Sequence, residues 1–385
     1  MKIGIDARLY SQAGIGRYIR NILLALVKID QNNNYVVYLG EEDISNFKFS
    51  ILNFQNRNIQ VKSANYPWYS VSEQICFPIR LYKDKLDLLF VPHFNAPVLY
   101  FKKTVVTVHD MIMHKEIPSL EVSTRPAPLF NFRRFVYKIV FFFSILKAKK
   151  IFVPTRYVGE LLLNYAHFNV ASKIIVTPEA VDPVFVNIND KLSFDLTRVG
   201  VNKPYLLYVG SAYPHKNLKD LVIAFKNVLP NFEEKVQLII LGKRDIFLGR
   251  LREFSKSLGL EESVIFPSFV EGMEKINDSV LKSFYQNANS YITASLDEGF
   301  NLTPLEAIAN GIPCAISDIP AHREIYQGAA LFFNPLSIKE IEEALVKIVQ
   351  DQKLRASLTK DGTILLSKYS WGKTARTTLN GFLSF

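Results

Sequence analysis

Two glutamates, Glu298 and Glu306, lie eight positions apart around the turn sequence Gly-Phe-Asn-Leu-Thr-Pro. The residues before them, Tyr291–Ser295, have the pattern of a buried strand, and those after have that of a helix ending before Gly311. Glu298 is therefore expected at the carboxyl end of a strand, with the loop Gly299–Leu302 at a helix N-terminus. Because backbone N–H groups at a helix N-terminus bind anions, this stretch predicts a phosphate site.

The same stretch also has a purely structural interpretation. Thr303 suits an N-cap, and Pro304 suits a first helical residue. With Glu306 three residues later, Thr303 would form a capping box that satisfies two backbone donors. Glu298 would then be a solvated loop carboxylate.

A second anion site is predicted in Val209–Leu218, VGSAYPHKNL, where a strand leads through a loop to a helix start capped by Asn217. Lys216 stands near that helix N-terminus, where the helix dipole disfavours a cation. A diphosphate above the helix would remove the conflict. The alternative is an ordinary solvated lysine.

The glycine loop Gly14–Ile19, GIGRYI, follows the first strand and opens a helix. Its sixth position is Ile19, where a dinucleotide fingerprint has Gly or Ala, so an NAD site is not expected. Gly14 and Gly16 would let the backbone approach a ligand, and Arg17 is a candidate phosphate contact. The alternative is a simple turn before an amphipathic helix, with Arg17 at the surface.

The stretch VVTVHD places His109 and Asp110 at the end of a buried strand. A lone histidine in an apolar setting is most often a core residue, but a strand end also favours a functional site. His93 and His114 match no motif and are interpreted as structural. No cluster has metal-ligand spacing, so no metal is expected, and Lys216 with the helix N-termini would take a cation's place.

Short β-branched runs alternate with helical patterns along the chain, which is typical of parallel sheets covered by helices. The polar segment Asp190–Lys203 predicts a linker between two doubly wound domains. Ligands bind outside the carboxyl ends of the strands in such sheets, so we expect the motifs to face a cleft. The predicted strands are Lys2–Asp6, Tyr35–Leu39, Ile59–Val61, Leu88–Val91, Thr104–Val108, Lys150–Val153, Lys173–Val176, Tyr205–Val209, Val236–Leu241, Val264–Pro267, Ser290–Ala294, Cys314–Ser317 and Ala330–Phe333.

Charge is distributed unevenly along the 385 residues, which carry a net charge of +10. Residues 1–184 hold 23 Lys and Arg against 14 Asp and Glu, so an anionic partner is expected for this half. The stretch Arg125–Lys150 has seven basic residues, seven aromatic ones and no acidic one. It fits either a helix docked on anionic lipid or an ordinary domain helix.

Other features of the chain concern its compartment. The longest strongly apolar run, Ile139–Leu146, is too short for a membrane span, and the N-terminal residues lack a signal-peptide pattern. Cys76 and Cys314 lie in apolar strings and are interpreted as core residues, which fits a reducing compartment. A cytoplasmic location is expected, peripheral on the inner face of the cell membrane.

Taken together, the motifs resemble one family. The pattern E-G-F-N-L-x-P-L-E-A-x-x-x-G-x-P is similar to the E-x7-E motif of retaining glycosyltransferases with the GT-B fold. The nearest group is the bacterial mannosyltransferase-like enzymes, which use nucleotide sugars. GIDAR…GIGRY, VVTVHD, LLYVGS…HKNL and YSWGKTARTTL match in order, so the resemblance covers nearly the whole chain. The family usually has Arg at His215 and often Gly at Asn301, so this chain departs from it near the phosphates and the sugar.

The resemblance implies a role for each motif. Glu298 would stabilise an oxocarbenium-like centre or hold a sugar hydroxyl, Glu306 would take the ribose, and Lys216 would neutralise the leaving diphosphate. The predicted catalytic residues are Glu298, His109 and Lys216. The predicted donor-binding residues are Gly14, Gly16, Ser211, Gly299, Phe300, Asn301, Leu302, Thr303 and Glu306, and the predicted acceptor or phosphate contacts are Arg17 and Asp110.

The resemblance also implies an architecture and an activity. Residues 1–185 would bind the acceptor, 186–203 would be the linker, 204–368 would bind the nucleotide sugar, and 369–385 would return to the first domain. The enzyme would move a hexose, preferably mannose, onto a saccharide or lipid-linked saccharide of a surface polysaccharide, with no cofactor. The alternatives are a non-hydrolysing sugar-nucleotide epimerase and, in another class, a basic module that binds membranes or nucleic acid.

Overall fold

A computed structural model of the protein describes residues 1–51, 58–114, 127–186, 194–202, 204–274 and 276–385. The chain divides into two compact units, each built around one parallel sheet. Unit 1 comprises Met1–Glu179 and Ser370–Phe385, and unit 2 comprises Ala180–Tyr369.

The sheet of unit 1 has seven strands among the described residues, in the order β3-β2-β1-β4-β5-β6-β7. They are β1 (Lys2–Asp6), β2 (Asn34–Leu39), β3 (Ile59–Ser63), β4 (Leu88–Val91), β5 (Thr104–Thr107), β6 (Lys150–Val153) and β7 (Ile174–Val176). The helices between them are α1 (Gly14–Ile29), α2 (Ile44–Ser50), α3 (Val71–Lys83), α4 (Ala127–Lys147) and α5 (Arg156–Tyr165). The central strands are apolar and buried on both faces because helices cover the sheet on both sides.

The sheet of unit 2 has the order β10-β9-β8-β11-β12-β13 within the described residues. Its strands are β8 (Tyr205–Val209), β9 (Gln237–Leu241), β10 (Val264–Ile265), β11 (Ser290–Thr293), β12 (Cys314–Ser317) and β13 (Leu331–Phe333). Its helices are α6 (Pro183–Val186), α7 (Leu218–Val228), α8 (Ile246–Ser257), α9 (Asp278–Asn287), α10 (Leu302–Ala309), α11 (Pro320–Tyr326), α12 (Ile338–Gln350) and α13 (Gln352–Leu366).

Both sheets reverse their strand order once, between β1 and β4 in unit 1 and between β8 and β11 in unit 2. At such a switch point the loops that follow the two neighbouring strands diverge and leave a crevice at the carboxyl edge of the sheet. Each predicted strand is present, with its ends moved by at most two residues.

The last helix, α14 (Trp371–Leu383), packs within unit 1 although it follows unit 2 in the sequence. The ring of Phe382 is fully buried, with its centroid 5.2 Å from that of Phe90 and 6.0 Å from that of Phe152. A Cβ atom on Gly381 would lie 2.7 Å from the Phe152 ring, so only glycine permits this close contact.

Two expectations about individual residues need comment. Cys314 is buried as predicted, but Cys76 is exposed, because it lies on the outer side of α3. Of the predicted linker, 186–203, the structure describes residue 186 and residues 194–202. There Leu196, Val199 and Val201 are buried in the core of unit 2.

Candidate active site

Lys216 and Glu298 meet at the switch point of unit 2. Lys216 follows β8, Glu298 follows β11, and the two strands are neighbours in the sheet. The Lys216 Nζ atom donates to Glu298 Oε1 at 2.6 Å, although the two residues are 82 positions apart. Two residues singled out from separate motifs are thus in direct contact.

The Glu298 carboxylate is almost fully buried and uses one of its two oxygens. Oε1 accepts hydrogen bonds from Lys216 Nζ and, at 2.7 Å, from the Ser295 hydroxyl. Within the described parts of the chain, no donor reaches Oε2. Burial opposes ionisation, but the charge of Lys216 and the two hydrogen bonds outweigh it, so the pKa of Glu298 lies below its usual range. The site therefore holds a carboxylate with one oxygen available to a ligand.

The loop that carries Lys216 is tied to the loop that carries Glu298. The Leu296 N–H donates to the His215 carbonyl at 2.7 Å, and Pro214–Lys216 form one turn of 3₁₀-helix. Burial lowers the pKa of His215 to about 4, so its imidazole is neutral at neutral pH. At the position where the resemblance predicts a second cation, this chain therefore presents none.

Asn217 occupies the N-cap position of α7 in a left-handed conformation, with φ of 55°. Its side chain does not cap the helix as predicted, because the amide donates instead to the Pro335 carbonyl at 2.8 Å. That bond holds the end of the Lys216 loop against the segment after β13.

The start of α10 also differs from the prediction. The helix begins at Leu302 and its N-cap is Asn301, which has a positive φ of 67°. Thr303 and Pro304 are therefore the second and third helical residues, and the predicted capping box of Thr303 with Glu306 is wrong. The left-handed residue lets the chain enter the helix two positions earlier than the Thr-Pro signal indicates.

The Asn301 side chain is held on both ends. Its Nδ2 donates to His322 Nε2 at 2.9 Å, and its Oδ1 accepts from the Thr303 hydroxyl at 2.9 Å. The Tyr326 hydroxyl donates to the Asn301 carbonyl. The amide predicted to lie beside a sugar is thus part of a network that fixes the loop.

His322 is a site residue that the sequence analysis missed. It is fully buried in α11, and its Nδ1 lies 2.9 Å from the Ser317 carbonyl, so Nδ1 carries the proton and Nε2 accepts from Asn301. Burial lowers the pKa of His322 to about 4, which keeps the ring neutral and the network intact at neutral pH. No motif marks His322, and its place on the helix that follows β12 was the available signal.

Glu306 lies on the inner side of α10 and is fully buried. Its Oε2 accepts a hydrogen bond from the Tyr285 hydroxyl at 2.9 Å. The carboxylate predicted to bind a ribose is thus already engaged within unit 2 through this oxygen.

The remaining predicted donor residues of unit 2 lie in the same two loops. Phe300 packs its ring in the core against Tyr369, with centroids 5.8 Å apart, so only its backbone can meet a ligand. The Ser211 carbonyl accepts from the Tyr208 hydroxyl at 2.8 Å. Gly299 is buried after Glu298, whereas Leu302 is half-buried. These residues surround the Lys216–Glu298 pair within unit 2.

In unit 1, His109 lies after β5 and forms an ion pair with Glu179, which follows β7. Its Nδ1 is 3.1 Å from Glu179 Oε1, and its Nε2 is 3.0 Å from the Pro92 carbonyl. Burial lowers the pKa of the imidazole, but these partners outweigh burial and raise it above its usual value. Because both ring nitrogens face acceptors, the geometry suits the doubly protonated ring.

The other predicted residues of unit 1 lie at the carboxyl edge of the same sheet. A Cβ atom on Gly16 would lie 2.5 Å from the Tyr10 carbonyl oxygen, so glycine is needed here for the start of α1 to pack against the backbone after β1. Gly14 has open space around it, and Arg17 is half-buried in the first turn of α1. The Asp110 carboxylate accepts from the Ile112 N–H at 3.0 Å.

A buried charge cluster at the switch point of unit 1 was also missed. The Arg8 guanidinium binds both oxygens of Asp6, at 2.8 and 2.7 Å, and Glu73 Oε1 at 2.9 Å. Asn95 completes the cluster with a 2.9 Å bond to Glu73. The Asp-x-Arg sequence directly after β1 was the available signal. His93, interpreted as structural, is buried nearby, and burial lowers its pKa to about 3.

The model of the family described as glycosyl transferases group 1 matches residues 193–364. This segment is therefore similar to the glycosyltransferases of group 1. In the described part of the chain no three His, Cys, Asp or Glu side chains are grouped as metal ligands.

Mannosyltransferases are among the curated relatives of this chain. The O-antigen chain mannosyltransferase RfbU of Salmonella typhimurium is 25% identical over 287 residues, which cover 74% of this chain and 70% of the relative. The serotype-specific mannosyltransferase WbdA of Escherichia coli is 23% identical over 322 residues, or 81% of this chain. The match spans 37% of the length of WbdA.

Solved structures share the fold of both units. HepE of Anabaena, in complex with UDP and glucose, superposes with a TM-score of 0.72 at 15% identity over 100% of both chains. The sucrose-phosphate synthase of Thermosynechococcus elongatus gives 0.73 at 16% identity over 100% of this chain and 98% of the other. The predicted fold class, two doubly wound α/β domains of the GT-B type, is confirmed.

Proposed function

We propose that this protein is a glycosyltransferase of group 1, and that it is a retaining enzyme. It would move a hexosyl group, mannose by preference, from a nucleoside-diphosphate sugar to a saccharide acceptor. The observation that carries the proposal is the Lys216–Glu298 pair at the switch point of the group 1 domain. The names of the Salmonella and E. coli relatives support mannose, and that of the Salmonella relative supports an O-antigen acceptor. The proposed acceptor is a saccharide, free or lipid-linked.

The pair suits a reaction in which a diphosphate leaves and a sugar carbon becomes positive. The Lys216 ammonium lies on the loop that leads into α7. The first backbone N–H groups of a helix have no partners within the helix and can bind an anion at its N-terminus. It would bind a phosphate oxygen and neutralise the charge that develops on it. Glu298 Oε2 would face the sugar, where a carboxylate stabilises an oxocarbenium-like carbon or accepts from a hydroxyl.

Retention follows if the acceptor attacks from the side that the diphosphate leaves. The bond between the sugar carbon and the phosphate oxygen breaks, and the bond from the acceptor oxygen forms on the same face. The acceptor proton passes to the leaving diphosphate, so the step needs no dedicated protein base. His109, protonated and paired with Glu179, would not act as a base, and it would donate to a sugar only by giving up its bond to the Pro92 carbonyl.

Nucleotide binding tests the proposal directly. Purified protein is heated alone and with GDP, UDP, TDP or ADP, and then incubated with the sugar nucleotide whose diphosphate raises the melting temperature most. Binding at 100 times the dissociation constant would stabilise the protein by about 2.7 kcal/mol. GDP is expected to give the largest shift and GDP-mannose to be consumed only when a saccharide acceptor is present. No stabilisation by any of the four diphosphates would refute the assignment.

A further inference from the structure

Helix α4 is apolar on two opposite faces. One face packs into the core of unit 1 through Val140, Phe141 and Ile145, all buried. The other face carries large apolar side chains that remain exposed. We name this set the α4 outer face: Phe132, Phe135, Ile139, Phe142, Phe143 and Leu146. At roughly 100° per residue these six positions form one stripe along the helix.

Exposure on this stripe is high for aromatic residues, at 64% for Phe132 and 61% for Phe135. An amphipathic helix on a globular domain normally turns charged residues to this side. Contiguous exposed apolar surface usually marks a binding surface. The α4 outer face therefore requires an occupant.

Basic side chains border the stripe on both sides. In helical projection Lys138 lies on one side, and Arg133 and Lys147 lie on the other. No Asp or Glu occurs between positions 125 and 150. The charged residues of the border, from Arg133 to Lys147, are therefore all basic.

The surface continues beyond the end of α4. The Lys147 ammonium lies 4.3 Å from the centroid of the Phe101 ring, which is 73% exposed, and donates to the Val98 carbonyl. Lys147 and Phe101 line a cavity of about 670 Å³ with further charged residues. These are Lys102, Lys103, Lys149 and one acid, Asp87.

Helix α3 adds a second apolar stripe to this surface. Val71, Ile75, Ile79 and Tyr82 are all exposed and recur every three or four positions. The Tyr82 hydroxyl accepts from the Phe101 N–H at 2.9 Å, so the stripe meets the Lys147 region directly. The sequence analysis had assigned a lipid surface only to Arg125–Lys150.

We propose that the α4 outer face, Phe101 and the four lysines around it form a docking surface for an anionic lipid bilayer. Aromatic and aliphatic side chains would enter the boundary between headgroups and acyl chains, and the lysines would contact lipid phosphates. This inference is independent of the sugar donor and of catalysis.

Charge and side-chain type distinguish the bilayer from other occupants. A second copy of the chain would bring an equally basic surface against this one, which like-charge repulsion opposes. Single-stranded RNA would use aromatic stacking, which Ile139, Leu146 and the aliphatic stripe of α3 cannot provide. In the described residues no helix combines the length and apolar character needed to cross a bilayer. Lying on the surface is the arrangement that the side chains fit.

Vesicle flotation with the full chain tests the proposal. We expect the protein to float with vesicles of phosphatidylcholine containing about a third phosphatidylglycerol, and not with phosphatidylcholine alone. The double variant Phe132→Ser, Phe135→Ser should lose about tenfold or more in vesicle affinity. The triple variant Lys102→Glu, Lys103→Glu, Lys149→Glu should lose a similar factor, and added salt should weaken wild-type binding.

Matched control variants distinguish binding through this surface from nonspecific binding to vesicles. Phe49→Ser with Leu336→Ser removes two exposed apolar residues elsewhere, at 78% and 80% exposure, and should leave flotation unchanged. Lys226→Glu, Lys339→Glu, Lys360→Glu changes the net charge equally on exposed positions of unit 2. Three results would overturn the proposal: no flotation of wild type, equal losses in the controls, or a Phe132- and Phe135-dependent dimer in place of vesicle binding. Retained nucleotide stabilisation in every variant shows that the fold and the donor site are intact.

Discussion

Both units bury a cation beside a carboxylate at the carboxyl edge of a parallel sheet, but the two pairs differ in what they leave unused. In unit 1 both nitrogens of His109 already face acceptors, Glu179 and the Pro92 carbonyl. In unit 2, among the described residues, the Lys216 ammonium bonds to Glu298 Oε1 alone, and no donor reaches Oε2. The first pair is complete without a ligand, whereas the second has a cation and a carboxylate oxygen ready for one.

This difference indicates that the His109–Glu179 pair mainly stabilises the structure, whereas the Lys216–Glu298 pair can bind a ligand. A buried ion pair with all its hydrogen bonds satisfied holds loops together, and removing one partner leaves an uncompensated charge. A buried pair with unused donors and acceptors retains the capacity to bind. We therefore expect changes at Lys216 and Glu298 to affect activity, and changes at Glu179 to affect the local structure and proton affinity of unit 1.

The largest effect is expected for Glu298→Gln. The amide keeps a partner for Ser295 but removes the charge that would stabilise a positive sugar carbon, so transfer should fall about a thousandfold. Stabilisation by GDP or UDP should persist, because Lys216 loses its competing carboxylate. The control is Asp318→Asn, which disrupts another cation–carboxylate pair of unit 2, with Arg323, at the surface. Initial rates within twofold of wild type would refute the catalytic role of Glu298.

Lys216→Met should come next in size. Loss of a charge-assisted hydrogen bond to phosphate would weaken GDP and UDP binding by about tenfold to a hundredfold, measured by calorimetry. Burial would then act on Glu298 without its cation, so the pKa of that carboxyl should rise and the acid limb of the rate profile should move to higher pH. Lys219→Met, an exposed lysine three residues later, is the matched control. Equal affinity of wild type and Lys216→Met would remove the phosphate role.

A smaller effect, visible in titration, is expected for Glu179→Gln. The pKa of His109 is raised in the folded protein, so the pair's contribution to stability is fully present below the unfolded pKa and is lost as pH rises through the folded one. In the variant the pKa of His109 should fall, and the melting temperature should change less between pH 6 and pH 9 than in wild type.

Nuclear magnetic resonance of the histidine rings measures this pKa directly. His93, whose pKa burial lowers to about 3, should remain neutral throughout that range in both proteins and serves as an internal control. An unchanged His109 titration in Glu179→Gln would show that the carboxylate does not control it.

The smallest expected effect is a difference in stability between two substitutions of Asn301. Asn301→Gly removes the bonds to His322 and Thr303 but relieves the positive φ, so the two contributions, each about 1 kcal/mol, should nearly cancel in thermal unfolding. Asn301→Ala loses the same bonds without that relief and should be less stable than Asn301→Gly by about 1 kcal/mol. Equal stability of the two variants would show that the left-handed backbone does not constrain this position.

Much of the fold followed from local sequence pattern. Strands such as Lys2–Asp6 and Cys314–Ser317 were predicted with their observed bounds, because β-branched runs buried on both faces are distinctive. Lys216 and Glu298 were each singled out, but their contact was not, since no local pattern reports which loops lie side by side across 82 positions. Strand order supplies that information.

The errors concern residues whose surroundings are set by tertiary structure. Asn217 and Asn301 have a left-handed backbone conformation, which the capping patterns did not predict. Their side-chain amides bind Pro335 and His322, which are distant in the sequence. Apolar neighbours in the sequence suggested that Cys76 is a core residue, but they could not show that the apolar side of α3 which bears Ile75 and Ile79 is exposed. Cys76, exposed on the same helix, was misplaced for that reason.

Helix α14 has a consequence for the order in which a ribosome can complete the two units. Unit 2 is continuous in the sequence, so all its residues have been synthesised before α14 appears. Unit 1 begins first but lacks the Phe382 ring that packs against Phe90 and Phe152 until α14 is made. During translation, the aromatic core of unit 1 therefore stays incomplete while all of unit 2 is already available to fold. Unit 1 is synthesised first, but its fold is completed last.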